Sequence, residues 1–291
     1  GIVLYNPDIE RLRSNITAIY KQVKVVFCYN NNSKNTGDIK ELIKEFENVV
    51  LIDKKENLGI ATAINEIAEV ANKKNITWLL TLDQDSICPP DIIRKFCKYI
   101  DDPKIGIICP LIIDKRRPKK EKPKEIVMVT DYCITSGSFM NLQIFRKLEG
   151  LDEYLFIGLV DDDYCYRILL NGYKIIQINN VILDHELGEI LPSKYSKFFL
   201  RLGEAINSEK IKALSYKRKV SAMRVYYATR NIVYLANKYK EYPVYKFSVR
   251  YAIINGISNI IRSQNKIETL LAFFRGLFEG FKGNKEKNRY H

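Results

Sequence analysis

The chain has 291 residues, 46% of them hydrophobic, enough to bury a full core and to allow one large α/β domain plus a smaller appendage, so disorder is not the default expectation. Its formal net charge of +13 is unevenly distributed: residues 1–192 carry 26 basic and 28 acidic side chains, residues 193–291 carry 21 and 6. The division falls naturally at 192/193, and the basic third reads as a contact surface for polyanions, either anionic lipid or nucleic acid.

Along the first part, short β-rich runs alternate with helical patterns, as in a parallel sheet covered by helices. Strands are expected at Ile2–Tyr5, Val23–Tyr29, Val49–Ile52 and Trp78–Leu82, with helices at Asp8–Tyr20, Asp38–Glu47 and Gly59–Lys73. In the last of these, Ile60, Ala63, Ile64, Ile67, Ala68 and Ala71 share one face. Pro89-Pro90 opens a further helix, Asp91–Tyr99, and another strand spans Ile105–Ile113. Residues 114–125, rich in Lys, Arg and Pro, read as a surface loop or a mobile lid, the solvated loop being the plainer reading. From Lys219 the pattern turns helical, over Lys219–Lys240, Val244–Ser263 and Lys266–Phe281.

Six cysteines without a C-x-x-C pair, several inside apolar runs, suit a reducing compartment. Gly1 opens an apolar run with no signal-peptide pattern, and the uncharged stretch Tyr251–Ile261 is far shorter than the roughly 18 apolar residues of a membrane span. The expectation is a cytoplasmic protein, peripheral on the inner face of the cell membrane.

Three clusters could carry chemistry. Leu82-Asp83-Gln84-Asp85-Ser86 ends an apolar run in two carboxylates, placed where open α/β sheets bind ligands, and oxygen donors there suit Mg²⁺ or Mn²⁺ with a diphosphate; an N-cap before Pro89-Pro90 is the plainer alternative. Asp161-Asp162-Asp163 crowds three acids, one of which could act as a general base with a raised pKa; a helix N-terminus stabilised by its dipole explains the cluster equally well. His185, in Leu183-Asp184-His185-Glu186-Leu187-Gly188, follows the strand-like stretches Lys174–Ile178 and Val181–Leu183 and precedes a glycine, and is a candidate metal ligand or a structural histidine.

Taken in order, Val3-Leu4-Tyr5-Asn6-Pro7, Asn30-Asn31-Asn32-Ser33, Asn57-Leu58-Gly59-Ile60-Ala61 with Asn65, and Leu82-Asp83-Gln84-Asp85-Ser86 form a recognisable series. It continues through Thr135-Ser136-Gly137-Ser138, Gly150-Leu151-Asp152-Glu153, residues 161–167, His185-Glu186-Leu187-Gly188 and Tyr226-Tyr227-Ala228-Thr229-Arg230-Asn231. This set resembles a family 2 glycosyltransferase of the GT-A fold, and within it the rhamnosyltransferase branch. The resemblance implies a Rossmann-like mixed sheet flanked by helices, followed by a C-terminal helical subdomain.

It also implies residue roles. Tyr5, Asn6, Asn30, Asp53 and Asn57 would line the nucleotide pocket, Asp83 would face ribose and metal, Asp85 would be the principal metal ligand, and His185 an additional one. Asp161 matches the base position, Arg230 would approach the donor diphosphate or the acceptor, and Ser136, Gly137, Asp162 and Asp163 would lie toward the acceptor. The family usually has Asp where this chain has Asn30, making any contact there neutral. The implied reaction is inverting transfer of L-rhamnose from dTDP-L-rhamnose to a lipid-linked or polysaccharide acceptor, with Mn²⁺ or Mg²⁺. A UDP-hexose or UDP-galactofuranose donor is the alternative.

From another class, the basic C-terminal region could bind nucleic acid. Its cations lie on apolar amphipathic helices, which favours an anionic membrane surface and no nucleic acid. The same helices are a candidate surface for a homodimer.

Overall fold

The computed structural model describes residues 1–114, 123–184, 190–192, 195–212, 215–218, 221–242, 246–263 and 265–287. Two compact units are present, Gly1–His185 and Glu186–His291, so the 192/193 division anticipated from charge falls inside the second.

The first unit begins β1 (Ile2–Leu4), α1 (Ile9–Ile19), β2 (Val26–Asn31), α2 (Thr36–Ile43), β3 (Val49–Lys54), α3 (Gly59–Lys73), β4 (Trp78–Leu80) and β5 (Leu82–Asp83). It continues with α4 (Ile92–Phe96), β6 (Ile105–Ile113), β7 (Val127–Thr130), β8 (Phe139–Asn141), α5 (Leu142–Lys147), α6 (Val160–Leu170) and β9 (Lys174–Asp184). Strands β3-β2-β1-β5 form a parallel sheet, and β4-β8-β6-β9-β7 a mixed one. All six residues of β2 are buried, as a parallel strand covered on both faces must be.

Asp8 caps α1, accepting the Arg11 N–H at 2.9 Å, and the helix turns Leu12, Ile16 and Ile19 onto the sheet beside Ile39 and Leu42 of α2. Burying such side chains contributes about 1.5–3 kcal/mol each. Helix α3 begins and ends where the sequence predicts and buries Ala61, Ala63, Ile64, Ile67, Ala68 and Ala71.

Two expectations are corrected. The run Trp78–Leu82 is not one strand: it breaks at Thr81, whose backbone N–H turns to Ser138 O (2.9 Å) and whose carbonyl accepts the Gly137 N–H (2.7 Å). Conversely, Lys174–Ile178 and Val181–Leu183 join in the single strand β9, which pairs with β6 through a register shift between Pro110 and Leu111 that absorbs the intervening residues.

The second unit contains β10 (Ile190–Pro192), α7 (Ser196–Ala205), α8 (Glu209–Lys212), β11 (Tyr216–Arg218), α9 (Ala222–Lys238), α10 (Val249–Arg262) and α11 (Lys266–Lys287). Ser221 and Ser248 cap α9 and α10 by accepting the N–H groups of Arg224 (3.3 Å) and Tyr251 (3.1 Å). Helix α11 meets α9 through a stripe of small residues: a Cβ at Gly276 would lie 2.6 Å from Tyr226 O, and one at Gly280 2.7 Å from Arg230 O. Phe273, buried, packs over Gly256 of α10. With that face used up, Leu271, Phe274, Phe278 and Phe281 point away and are 50–64% exposed.

Candidate functional site

Parallel pairing sets the C-terminal ends of four strands side by side. Asp53 is in register with Asn30, Asn30 with Leu4, and Val3 with Asp83, so one edge carries Asp53, Asn30, Tyr5 and Asp83 in spatial order. Three interstrand steps span about 14 Å, the scale of an extended nucleoside diphosphate.

The acidic turn at one end of this edge is braced on both sides. Gln84 accepts the Tyr5 N–H at 2.9 Å and returns its amide to Tyr5 O at 3.4 Å, while Asn15 donates to Asp83 O at 2.6 Å. Ser136 Oγ accepts the Asp83 N–H (3.1 Å) and bonds Ser86 Oγ (2.8 Å). Ser136 is thus buried beneath the turn, and Gly137 lies behind it with φ +87°, where an added Cβ would stand 2.7 Å from Pro110. The resemblance implies that both lie toward the acceptor; the contacts they make here are those of Ser136 with the acidic turn and of the Gly137 N–H with Thr81 O. Asp85 is exposed at the tip. The bracing role of Gln84 has no signal in the sequence beyond its place between the two acids.

At the other end, Asn30 is fully buried and its polar groups are engaged. Its amide donates to Thr36 Oγ1 (2.9 Å) and Asp53 Oδ1 (2.8 Å), and its oxygen accepts the Ser33 N–H (3.1 Å). Asp53 also meets Lys40 at 2.7 Å, and the hydrogen bonds from Lys40 and then Asn30 hold its carboxyl below the usual range. Asn6 is exposed, its oxygen accepting the Lys34 N–H at 2.8 Å; Asn57, also exposed, accepts the Gly59 N–H at 3.0 Å; Tyr5 is 51% exposed.

The three acids at 161–163 open α6 and separate by environment. Asp163 is fully buried and ion-paired with Arg167 at 2.9 Å, an i,i+4 clamp whose guanidinium also reaches Leu148 O. Asp162 is buried at 9% exposure. Asp161, half-buried, accepts the Tyr132 hydroxyl on Oδ2 at 2.9 Å and the Asp162 N–H on Oδ1 at 3.1 Å. Burial, then the charge of Asp162, push its pKa up to about 6 against the opposing hydrogen bond from Tyr132. Tyr132 is 29 residues distant in sequence, and no spacing rule points to it.

Asp83 and Asp85 offer oxygen ligands at a solvent-facing turn, the donor chemistry that Mg²⁺ and Mn²⁺ take. Among the described residues no three His, Cys, Asp or Glu groups converge on one metal position. His185 lies outside the described residues; Asp184 before it bridges Ile87, two residues past Asp85. Arg230 is buried in α9, donating to Asn231 Oδ1 at 2.8 and 3.0 Å with its guanidinium 4.8 Å from the Tyr227 ring centre.

A sequence profile described as Glycosyl transferase family 2 matches residues 1–166. The chain is 27% identical over 309 aligned residues to the dTDP-rhamnosyl transferase RfbF of Shigella flexneri, covering 100% of this chain and 97% of that protein. A shorter likeness, 28% over 111 residues, is to the poly-beta-1,6-N-acetyl-D-glucosamine synthase of Staphylococcus aureus strain COL, covering 37% of this chain and 26% of the relative. Among solved structures, S. aureus TarS 1–349 in complex with UDP matches with TM-score 0.54 and 13% identity over 100% of this chain and 91% of that one. GalNAc-T7 with UDP, GalNAc and Mn²⁺ matches with TM-score 0.52 and 14% identity over 64% and 43%. The structural likenesses show the fold, the GT-A arrangement expected from the sequence.

Proposed function

The chain belongs to glycosyl transferase family 2, and from that premise we propose a metal-dependent, inverting transferase that moves L-rhamnose from dTDP-L-rhamnose to a lipid-linked or polysaccharide acceptor. The full-length likeness to a dTDP-rhamnosyl transferase supports the sugar and the nucleotide. The nucleoside lies along the edge from Asp53 to Asp83, with the exposed Tyr5 ring offering it an apolar face. Asp83 and Asp85 would hold Mg²⁺ or Mn²⁺, which when bound neutralises charge on the departing nucleoside diphosphate.

Asp161 takes the proton of the acceptor hydroxyl as that oxygen bonds to the anomeric carbon and the bond from that carbon to the diphosphate breaks on the opposite face. A pKa of about 6 keeps the carboxylate ionised near neutrality yet more basic than an ordinary aspartate. The contribution of such a base is about 10²–10⁴ in rate. The single observation that carries this reading is the sorting of the acidic cluster: Asp163 is committed to Arg167, while Asp161 stands with a raised pKa in a hydrogen bond to Tyr132.

A nucleotide-sugar panel tests it. With Mn²⁺ or Mg²⁺ present, dTDP-L-rhamnose is expected to release dTDP faster than UDP-glucose, UDP-galactose or UDP-galactofuranose release UDP, and EDTA to stop the reaction. Preference for a UDP-sugar overturns the rhamnosyl assignment, and indifference to EDTA overturns the metal.

A second observation favours work at an anionic membrane surface. On α10, Ile254, Ile257 and Ile261 are exposed at helical spacing, as are Ile267, Leu271, Phe274, Phe278 and Phe281 on α11. Exposed Arg250, Arg262, Lys266 and Lys282 accompany them, the pattern of interfacial helices that lie on lipid. Among the described residues no helix is long and apolar enough to cross a membrane.

A further inference from the structure

Seven non-glycine residues among those described take positive φ. Four are asparagines, which tolerate that region; of the other three, Phe156 (φ +54°) and Leu159 (φ +62°) stand directly before Asp161 in the chain, with Gly158 between them at φ +78°. The Ile157 N–H donates to Leu155 O at 2.5 Å and ψ at Phe156 is −62°, so Phe156 is the centre of a γ-turn in its rarer, strained form. Leu155 and Val160, both buried, anchor the chain on either side of this stretch.

Backbone of this kind persists only where neighbouring structure over-determines it, and here the neighbour is α3. N–H groups at a helix start lack partners within the helix, and at the head of α3 they are divided among three acceptors. The Leu58 N–H donates to Asn31 Oδ1 on β2 (2.8 Å), the Gly59 N–H to Asn57 Oδ1 (3.0 Å), and the Ile60 N–H to Phe156 O (2.8 Å). Gly59 lies so near the turn that a Cβ would stand 2.6 Å from the Phe156 ring and 2.7 Å from its carbonyl oxygen. Further along α3, Asn65 clamps the start of the same segment, its oxygen accepting the Leu151 N–H (2.8 Å) and its amide donating to Leu151 O (2.9 Å).

We propose that residues 151–159 form a positioning strut for Asp161, in which Phe156 and Asn65 set the place of the carboxylate by fixing the chain that leads into α6 to α3. Asn31 ties α3 in turn to the sheet, since its amide also donates to Gly59 O at 3.2 Å, so the base and the donor edge are referred to one strand, β2. This rests on the reading of Asp161 as the base; Phe156 and Asn65 act through it and are positioning residues. Displacing a reacting group by about 1 Å costs on the order of 10² in rate. The donor edge is braced by Asn15, Gln84 and Ser136 at one end and by Asn30 and Lys40 at the other, groups outside the strut, so turnover and nucleotide affinity should separate.

A double-mutant cycle with Asp161→Asn tests the strut. Turnover is read as nucleoside diphosphate released, with Mn²⁺, from whichever of dTDP-L-rhamnose and the UDP-sugars wild type uses fastest. Phe156→Gly accepts the same φ and ψ without strain but removes the ring over Gly59 and the confinement of the turn. It should lower kcat roughly ten- to hundredfold while calorimetric affinity for the matching nucleoside diphosphate stays within about twofold of wild type. In an Asp161→Asn background the same change should have no further effect, because a residue that acts through the carboxylate has nothing left to position. Should Phe156→Gly unfold, Asn65→Ala, which frees Leu151 and leaves the Phe156 contacts in place, is read in the same way. Wild-type kcat in the folded variant, or a loss that adds in full to that of Asp161→Asn, overturns the inference and leaves the base reading standing. Wild-type turnover in Asp161→Asn alone removes the base reading, and the inference with it.

Discussion

The Tyr132 hydroxyl donates to Oδ2 of Asp161 across 2.9 Å, joining the loop before Cys133 to the head of α6. This bond favours the ionised carboxylate, while burial and the neighbouring Asp162 favour the neutral one, and together they leave Asp161 near 6. Activity that needs the carboxylate therefore falls as pH drops through about 6. Removing the donor with Tyr132→Phe raises the Asp161 pKa further, so the acid limb of the kcat profile should move to higher pH. A limb that stays in place, in a folded variant, takes Tyr132 out of this role.

At the acidic turn, Asp85→Ala removes the exposed carboxylate at the tip while Gln84, Asn15 and Ser136 still hold the backbone. Metal-dependent affinity for the nucleoside diphosphate should be lost with little change in Tm, because no other acid at the turn replaces a ligand at that point. Calorimetry with and without Mn²⁺ reads the outcome, and unchanged metal dependence assigns the cation elsewhere.

Two further positions should fail by unfolding. Asp163→Ala strands the Arg167 guanidinium and should cost about 3 kcal/mol, the low end for a broken buried pair because the Arg167 side chain keeps 16% exposure. Gly137→Ala places a Cβ at φ +87° and 2.7 Å from Pro110, for a loss of about 2–4 kcal/mol. Denaturant titration checks both; wild-type stability in either contradicts the bracing described for that residue.

Much of this was legible in the sequence because it depends on local pattern. The apolar face of Gly59–Lys73 and the buried run Ile105–Ile113 define a helix and a strand with the bounds found. The pair Asp83 and Asp85 lies at a sheet edge because it ends an apolar run. What escaped depends on partners distant in the chain. Strand β8 and the break at Thr81 follow from bonds between Thr81 and residues 135–138, some 54–57 positions on. The strand β7 is set by pairing with β9, and its own sequence, Val127–Thr130, is too short to announce it. Asn30 reads as a ligand contact by its place in the motif, yet its side chain is occupied by Thr36, Asp53 and Ser33.

The membrane reading turns on which cations are already engaged. Arg275 is ion-paired with Glu279 at 2.8 Å, so it is left intact. Changing Arg250, Arg262, Lys266 and Lys282 to Gln should release the protein from anionic vesicles, at about 1 kcal/mol of lost attraction for each, without lowering Tm. Binding that survives these changes, or that is equal on neutral vesicles, argues for another partner, and a second copy would show as a change in mass in solution.

The most direct test of the catalytic account is the turnover of Asp161→Asn measured beside its nucleotide affinity. The amide keeps the size of the carboxylate and can still accept from Tyr132, but it cannot take a proton. The account predicts a fall in kcat of roughly 10² or more with dTDP affinity close to wild type. Wild-type turnover in Asp161→Asn, or a loss found instead in a folded Asp162→Asn, would contradict it.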